Sequence, residues 1–203
     1  MLVSECFVKK TGKRFLYNIT PLVNISSVIQ YGILSFDEVQ RLPHESIALT
    51  SVQERRSKVF VTEGISLHQY ANLYFDYHNP MLSRRRDQNS SICILAVDYR
   101  IMDIPGCVLT DRNAASDVVR FFDPLTGMDT IDFGKVYAKY WIHPDDEYEE
   151  RNHKSVKCAE VLIPGRIPYE YIISACVNCD DARAKLYHSG FSKTVYVRPD
   201  LFF

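Results

Sequence analysis

The sequence predicts an α+β fold, and three observations carry that prediction. Short β-prone runs and short helical stretches follow one another without a βαβ rhythm. Ile92-Cys-Ile-Leu-Ala-Val97 is continuously apolar, the pattern of a central strand covered on both faces. A composition of 46% hydrophobic and 24% charged residues over 203 positions supplies enough core for one domain spanning 1–203.

Taken in order, residues 1–14 read as a polar lead-in, ordered at most as an edge. Phe15-Leu-Tyr-Asn-Ile-Thr20 alternates and reads as the first core strand. Thr20-Pro21 offers an N-cap followed by proline at the first helical position. Val23, Ile25, Val28 and Ile29 then give an amphipathic helix that Gly32 stops. Ile33-Leu34-Ser35 is a short extended piece, 37–46 a polar loop, and Val59-Phe60-Val61 another strand. Gly64 allows a turn, and Leu73-Tyr74-Phe75 is strand-like. His78-Asn79-Pro80-Met81 is a turn, because proline biases its predecessor away from helix.

Beyond the central run, Cys107-Val-Leu109 is extended. Helical spacing is expected over 114–122 and again over 130–141, where Ile131, Phe133, Val136, Tyr137 and Tyr140 share a face. The charge-dense stretch Asp145–Lys154 reads as a loop. Val161-Leu-Ile163 is a buried strand that Glu160 opens and Pro164 closes. A turn through Pro164 and Pro168, a strand over Ile172–Val177, a helix over 180–188 and a strand over Thr194–Val197 complete the chain.

Formal net charge is −1, so no global field draws nucleic acid. Basic residues cluster at Lys9-Lys10, Lys13-Arg14, Arg55-Arg56 and Arg84-Arg85-Arg86, and local clusters of this kind hold phosphates. The six cysteines lack a small-domain disulfide pattern, and Cys176-Val-Asn-Cys179 has no second pair at zinc spacing. No signal peptide, membrane-spanning run or lipidation motif is evident, so a reduced, cytoplasmic protein is expected. GxGxxG, Walker A, HExxH and GxSxG motifs are missing. The six histidines show no metal-ligand spacing, and no metal is expected.

A charge at the start of a buried strand has either a partner or a task. Glu160 reads in two ways: as a rigidly held carboxylate behind a mobile substrate-recognition loop at 145–154, or as a strand-end glutamate that reaches solvent or pairs with Lys157.

Four segments, read together, resemble the DarT family of toxin ADP-ribosyltransferases, which modify bases in single-stranded DNA using NAD. They are Leu16-Tyr-Asn-Ile-Thr20 before a helix ending at Gly32; Ser46-Ile-Ala48 with Gln53-Glu-Arg-Arg56; Leu67-His-Gln-Tyr70 with Tyr74-Phe75 and Pro80-Met-Leu82; and Ala159-Glu-Val-Leu162. Thr110-Asp-Arg112 and Arg120-Phe-Phe122 are similar to the family's middle region. The resemblance implies the ADP-ribosyltransferase fold, a split, strongly bent β-sandwich with an NAD cleft and flanking short helices. It implies Glu160 as the catalytic glutamate and Arg56 as the NAD-contacting catalytic arginine. Tyr17, Asn18, Thr20, Leu67 and Tyr74 fall around the implied NAD pocket, and residues 125–158 match a region that shapes the substrate site. DNA binding needs a basic track and platforms for unpaired bases; Tyr77, Asn79, Met81, Arg84, Arg85 and Arg86 are the candidates.

The chain departs from the family in two places. Asn18 stands where a histidine is usual, and Ser116-Asp-Val118 lacks the histidine that thymine-modifying relatives tend to carry. Thymine is the first expected target and guanine the second. Expected partners are single-stranded DNA and a macrodomain-type antitoxin, with no membrane. The alternatives are the same chemistry on RNA or protein, or a non-catalytic nucleic-acid-binding relative.

Overall fold

Tyr17 and Tyr74 form the single rung that joins two halves of a large sheet in the computed structural model, which describes residues 2–62 and 64–203. Among the described residues the strands are β1 (Phe15–Pro21), β2 (Ile33–Leu34), β3 (Phe60–Thr62), β4 (Ile65–Ser66), β5 (Tyr70–Tyr74), β6 (Ile92–Asp98), β7 (Val108–Thr110), β8 (Phe121–Phe122), β9 (Glu160–Pro164), β10 (Arg166–Ile167), β11 (Ile172–Val177) and β12 (Thr194–Val197). The helices are α1 (Val3–Thr11), α2 (Ile25–Tyr31), α3 (Phe36–Val39), α4 (Thr50–Arg56), α5 (Pro80–Ser83), α6 (Pro124–Thr130), α7 (Phe133–Val136), α8 (Glu147–Val156) and α9 (Asp180–His188).

Eight strands make the main sheet, in the order β12-β11-β6-β1-β5-β9-β7-β8. β1 pairs with β6 along its whole length, from Phe15 opposite Asp98 to Pro21 opposite Ile92. Its other edge meets β5 at one rung only, so the sheet divides there into two four-stranded halves. The split and the short flanking helices of the expected bent β-sandwich are present, with the two halves still hydrogen-bonded as one eight-stranded sheet. β6 is buried at every position, as its apolar run predicts. Each large aliphatic side chain hidden this way stabilises the fold by about 2 kcal/mol. β11 and β12 run parallel, joined by α9, and all three elements fall where the sequence places them.

Gly32 ends α2 with φ +84°. A Cβ there would collide with the carbonyl of Ile167, next to the β2–β10 ladder. Only glycine fits so close a backbone approach.

Several expectations fail. The loop expected over 37–46 begins inside α3, which Ser35 caps by accepting from the Glu38 N–H. Residues 3–11 form α1, not a polar lead-in. Phe7 is fully buried, Val3 and Cys6 pack against the same core, and Gly12 in the left-handed region closes the helix. Thr20-Pro21 does not start a helix, because both residues pair with β6; α2 begins at Ile25, and Val23 is exposed. Residues 114–120 are irregular and lead into β8. Asp111 is the reason: its carboxylate accepts from Arg120 Nε and from the Arg120 N–H, both at 3.0 Å, which folds the segment back on itself.

The helix expected over 130–141 is interrupted. α6 ends at Thr130, Asp132 caps α7, and Tyr140 is exposed. The charge-dense stretch is helix α8 rather than a loop. Asp146 caps it by accepting from the Glu149 N–H at 2.8 Å, and Glu147–Arg151 and Glu150–Lys154 pair at i,i+4. Its acidic first turn and basic last turn suit the helix dipole.

All six cysteines are free thiols. Burial pushes Cys158 up to about 12, so it stays an uncharged core residue. No helix among the described residues is long and apolar enough to cross a membrane.

Candidate active site

β9 begins at Glu160, directly opposite Tyr74 on β5. The Glu160 side chain is fully buried, and burying a lone carboxylate costs several kcal/mol. Three contacts offset that cost. Arg56 Nη1 donates to both carboxylate oxygens at 3.1 Å, and the Ala114 N–H donates to Oε1 at 2.9 Å. The partner is therefore Arg56, while Lys157 turns elsewhere. The Lys157 ammonium, also fully buried, lies 2.7 Å from Asp76 Oδ2 and donates to the carbonyls of Val136 and Ala138.

Each element around Glu160 is placed by its own sequence. The Glu160 N–H donates to Thr110 Oγ1 at 2.9 Å, and that hydroxyl donates to the Arg112 carbonyl at 2.7 Å. The segment after Arg112 is pinned by the Asn113 N–H on the Ser155 carbonyl, 2.9 Å away at the end of α8. α4 carries Arg56 as its last residue and turns it inward, whereas the adjacent Arg55 is exposed.

A cleft of about 1030 Å³ is lined by residues of β1 and β5; Glu160 itself lies behind the wall, and its partner Arg56 and its neighbour Tyr74 border the space. Its walls include Asn18 and Thr20 from β1, Asn72 and Tyr74 from β5, Arg56 from α4, and Arg151, Lys154 and Ser155 from α8. Six basic side chains border it (Arg55, Arg56, Arg84, Arg85, Arg151, Lys154) against two acidic ones, Glu45 and Asp117, so the cleft favours an anionic ligand.

Two rings in the wall are held neutral. Burial, reinforced by the charge of Glu160, raises the Tyr74 phenol well above its ordinary range, leaving it a hydrogen-bond donor. His68 sits 4.1 Å from the Phe36 ring, and its Nε2 lies 3.1 Å from Gln53 Oε1. An amide oxygen only accepts, so Nε2 carries the proton. Burial, then the nearby Arg56 charge, lowers the His68 pKa.

The sequence candidates separate into two groups. Arg56, Asn18, Thr20, Leu67 and Tyr74 all border the cleft. Asn18 Nδ2 donates to the Asn72 carbonyl at 3.3 Å. Tyr17 lies beside them in β1, but its ring meets Tyr77 edge-on at 5.0 Å and is absent from the cleft wall. Of the DNA candidates, Met81, Arg84 and Arg85 border the cleft. Arg85 also donates to the Ile47 carbonyl, which ties down part of its guanidinium. Tyr77 and Arg86 lie off the wall, and Arg86 donates to the Ser83 carbonyl at 3.3 Å.

Asn79 is corrected. It is fully buried; its Oδ1 caps α5 by accepting from the Met81 and Leu82 N–H groups, and its Nδ2 donates to the Asp76 carbonyl. Its side chain is wholly enclosed and presents no polar atom to DNA.

Sequence reasoning overlooked Gln53, His68, Arg151 and Lys154. The i,i+4 charge alternation of α8 was the available signal for the last two, hidden by reading the stretch as a loop.

A family model described as "ssDNA thymidine ADP-ribosyltransferase, DarT" matches residues 17–203. The chain is 29% identical over 194 residues to a DNA ADP-ribosyl transferase–DNA ADP-ribosyl glycohydrolase fusion protein of Thermosipho africanus. That match covers 92% of this chain, which spans about half the relative's length (48%). The solved structure of Thermosipho africanus DarTG in complex with ADP-ribose superposes with a TM-score of 0.80 at 27% identity, over 94% of this chain and 51% of that one. A DNA ADP-ribosyl transferase of Thermus aquaticus is 29% identical over 77% of this chain and 72% of its own. Thermus sp. 2.9 DarT in complex with ADP-ribosylated single-stranded DNA superposes with a TM-score of 0.80 at 25% identity, covering 96% of this chain and 97% of that one. The family match takes in Arg56, Tyr74 and Glu160, the residues that build the cleft and its buried carboxylate, and by it the chain belongs to the DarT family of single-stranded DNA ADP-ribosyltransferases.

Proposed function

We propose that this chain transfers ADP-ribose from NAD to a base of single-stranded DNA, with thymine the first target and guanine the second. The observation that carries the reading is the buried Glu160 carboxylate, gripped by Arg56 and the Ala114 N–H beside a basic cleft. The cleft, about 1030 Å³, lies at the top of the usual range for ligand pockets, about 300–1,000 Å³. That suits a dinucleotide, and the basic wall suits its diphosphate.

NAD supplies a glycosidic bond already activated by its cationic nicotinamide leaving group. Glu160, held rigid, stabilises positive charge at the sugar carbon without reorganising. The same carboxylate accepts the proton that an acceptor nitrogen gives up as it bonds to that carbon. Arg56 uses one nitrogen on Glu160 and borders the cleft, so its remaining N–H groups are the donors for phosphate oxygens. Tyr74 offers a neutral ring and hydroxyl. Asn18 can hydrogen-bond a ribose hydroxyl although it carries no charge.

Arg84 and Arg85, just after α5, and Arg151 and Lys154 on α8 all border the cleft and can follow a DNA backbone. Ser116 and Asp117 border the same space, where the resemblance places the thymine-associated histidine. Fusion of one relative to a DNA ADP-ribosyl glycohydrolase supports a partner that removes the mark, a macrodomain-type antitoxin, and with it a toxin role.

The test is intact-mass analysis of single-stranded oligonucleotides incubated with the protein and NAD. Sets lacking thymine or guanine are expected to name the base, since one of them stays unmodified. Modification of RNA or protein in place of every DNA would overturn the DNA assignment.

A further inference from the structure

We propose that His143, Glu149 and His153 form a binding site for a divalent transition metal of the zinc class, joining the segment before α8 to α8 itself. The His143 Nε2 and His153 Nδ1 atoms are 2.9 Å apart, and with a Glu149 carboxylate oxygen all three potential ligand atoms lie within 4.8 Å of one another. Glu149 and His153 are four residues apart on α8 and share a face. The spacing His143-x9-His153 matches no short metal motif, so the sequence conceals the pair.

The site is pre-oriented in the way metal-binding histidines are. His153 is buried, and its Nε2 lies 3.1 Å from the Lys135 carbonyl. A carbonyl only accepts, so Nε2 carries the proton and Nδ1 presents its lone pair to His143. An outer hydrogen bond to a backbone carbonyl is the usual device that fixes a ligating imidazole. His143 is positioned separately, its N–H donating to Glu150 Oε2 at 3.1 Å.

Without an ion, one N–H on His143 Nε2 bridges the two rings. Moving that proton to His143 Nδ1 turns two lone pairs onto a common point, with no net proton released. Zinc bonds of about 2.0–2.1 Å set neighbouring ligand atoms roughly 3.4 Å apart. The histidine contact therefore opens by about half an ångström, and Glu149 swings in. Lys135 Nζ now holds Glu149 Oε1 at 2.6 Å and Asn152 Nδ2 donates to Oε2 at 3.2 Å, so the ion must displace one of them; the Lys135 side chain is 36% exposed. Two imidazoles and a carboxylate suit zinc, copper or nickel rather than magnesium or calcium. Arg151 and Ser155, from other positions on α8, border the cleft, so the ion would clamp the helix from behind and leave the chemistry to Glu160.

The test uses the full chain, titrated calorimetrically with zinc chloride and spectroscopically with cobalt chloride. One equivalent should bind saturably, raise the thermal midpoint, and give a cobalt spectrum lacking a thiolate charge-transfer band, which separates this site from the six free thiols. His143→Gln keeps a donor for His153 but is a poor ligand, and Glu149→Gln preserves the shape of the site. Each should weaken binding by at least about tenfold, the loss that even outer-shell changes produce. Glu160→Gln should bind zinc like the unaltered chain. No saturable binding of one equivalent of zinc, a thiolate band, or undiminished binding in His143→Gln would each overturn the proposal.

Discussion

Arg56 and Glu160 lie 104 residues apart in the chain and meet through a single nitrogen, Nη1, which donates to both carboxylate oxygens at 3.1 Å. The pair is almost wholly buried, with the arginine side chain 10% exposed and the glutamate 0%. Removing one member of such a pair strands the other charge. Arg56→Ala is expected to destabilise the fold by about 3–5 kcal/mol and to abolish transfer. Chemical denaturation and nicotinamide release check the two losses separately. Arg56→Lys keeps a single donor for Glu160 but nothing planar for a diphosphate, so it should recover stability better than activity.

Lys157 links Asp76, two residues beyond the end of β5, to the approach of β9. Its fully buried ammonium holds Asp76 at 2.7 Å and donates to the Val136 and Ala138 carbonyls. Lys157→Met leaves all three acceptors without their donor and should cost about 3 kcal/mol or more. A denaturation midpoint close to that of the unaltered chain would show that the staple contributes little.

Asn79 and Arg84, both DNA candidates by sequence, differ in burial, Asn79 enclosed and Arg84 exposed, and should behave differently. Asn79→Ala removes the α5 cap and should lower stability by about 1 kcal/mol, with single-stranded DNA affinity preserved. Arg84→Ala should leave stability within about 0.5 kcal/mol. It should weaken DNA binding at low salt and reduce the slope of log K against log salt by about one. Fluorescence anisotropy across a salt series distinguishes them.

His68 and His78 both have lowered pKa values, His68 through burial and the Arg56 charge, His78 through burial and the Lys157 charge. The unfolded chain takes up these protons near pH 6.5, whereas the folded state resists them. Their contribution to stability is therefore full above that pH and is lost as pH falls toward the folded values. Denaturation midpoints should drop between about pH 7.5 and 5.5. His68→Gln, which keeps a donor for Gln53, should show a shallower drop.

The parts legible in the sequence are those whose signal is local. β6 is an unbroken apolar run buried on both faces, α9 runs from acidic to basic residues, and Glu160 stands at the edge of a β-branched strand. The misread parts depend on contacts that composition and hydrophobic period do not show, some distant in the chain and some near. α1 looks polar until Phe7 is set against Phe75 and Tyr99. The Asp111–Arg120 contacts override the helical spacing of 114–122. α8 combines very polar composition with two buried residues, His153 and Val156, too few to mark a helix by hydrophobic period. Arg56 entered the site by resemblance, and no local pattern announces its reach to Glu160.

The central claim is that the Glu160 carboxylate drives transfer of ADP-ribose to single-stranded DNA. The most direct measurement is the intact mass of a thymine-containing oligonucleotide incubated with NAD and either the unaltered chain or Glu160→Gln. Gln keeps the shape and an acceptor for the Ala114 N–H but removes the charge, so its thermal midpoint should stay well defined while the rate falls by at least about 10²-fold. The account predicts one added ADP-ribose with the unaltered protein and essentially none with the variant. Equal modification by both, or a folded unaltered protein that modifies no DNA in the presence of NAD, would contradict it.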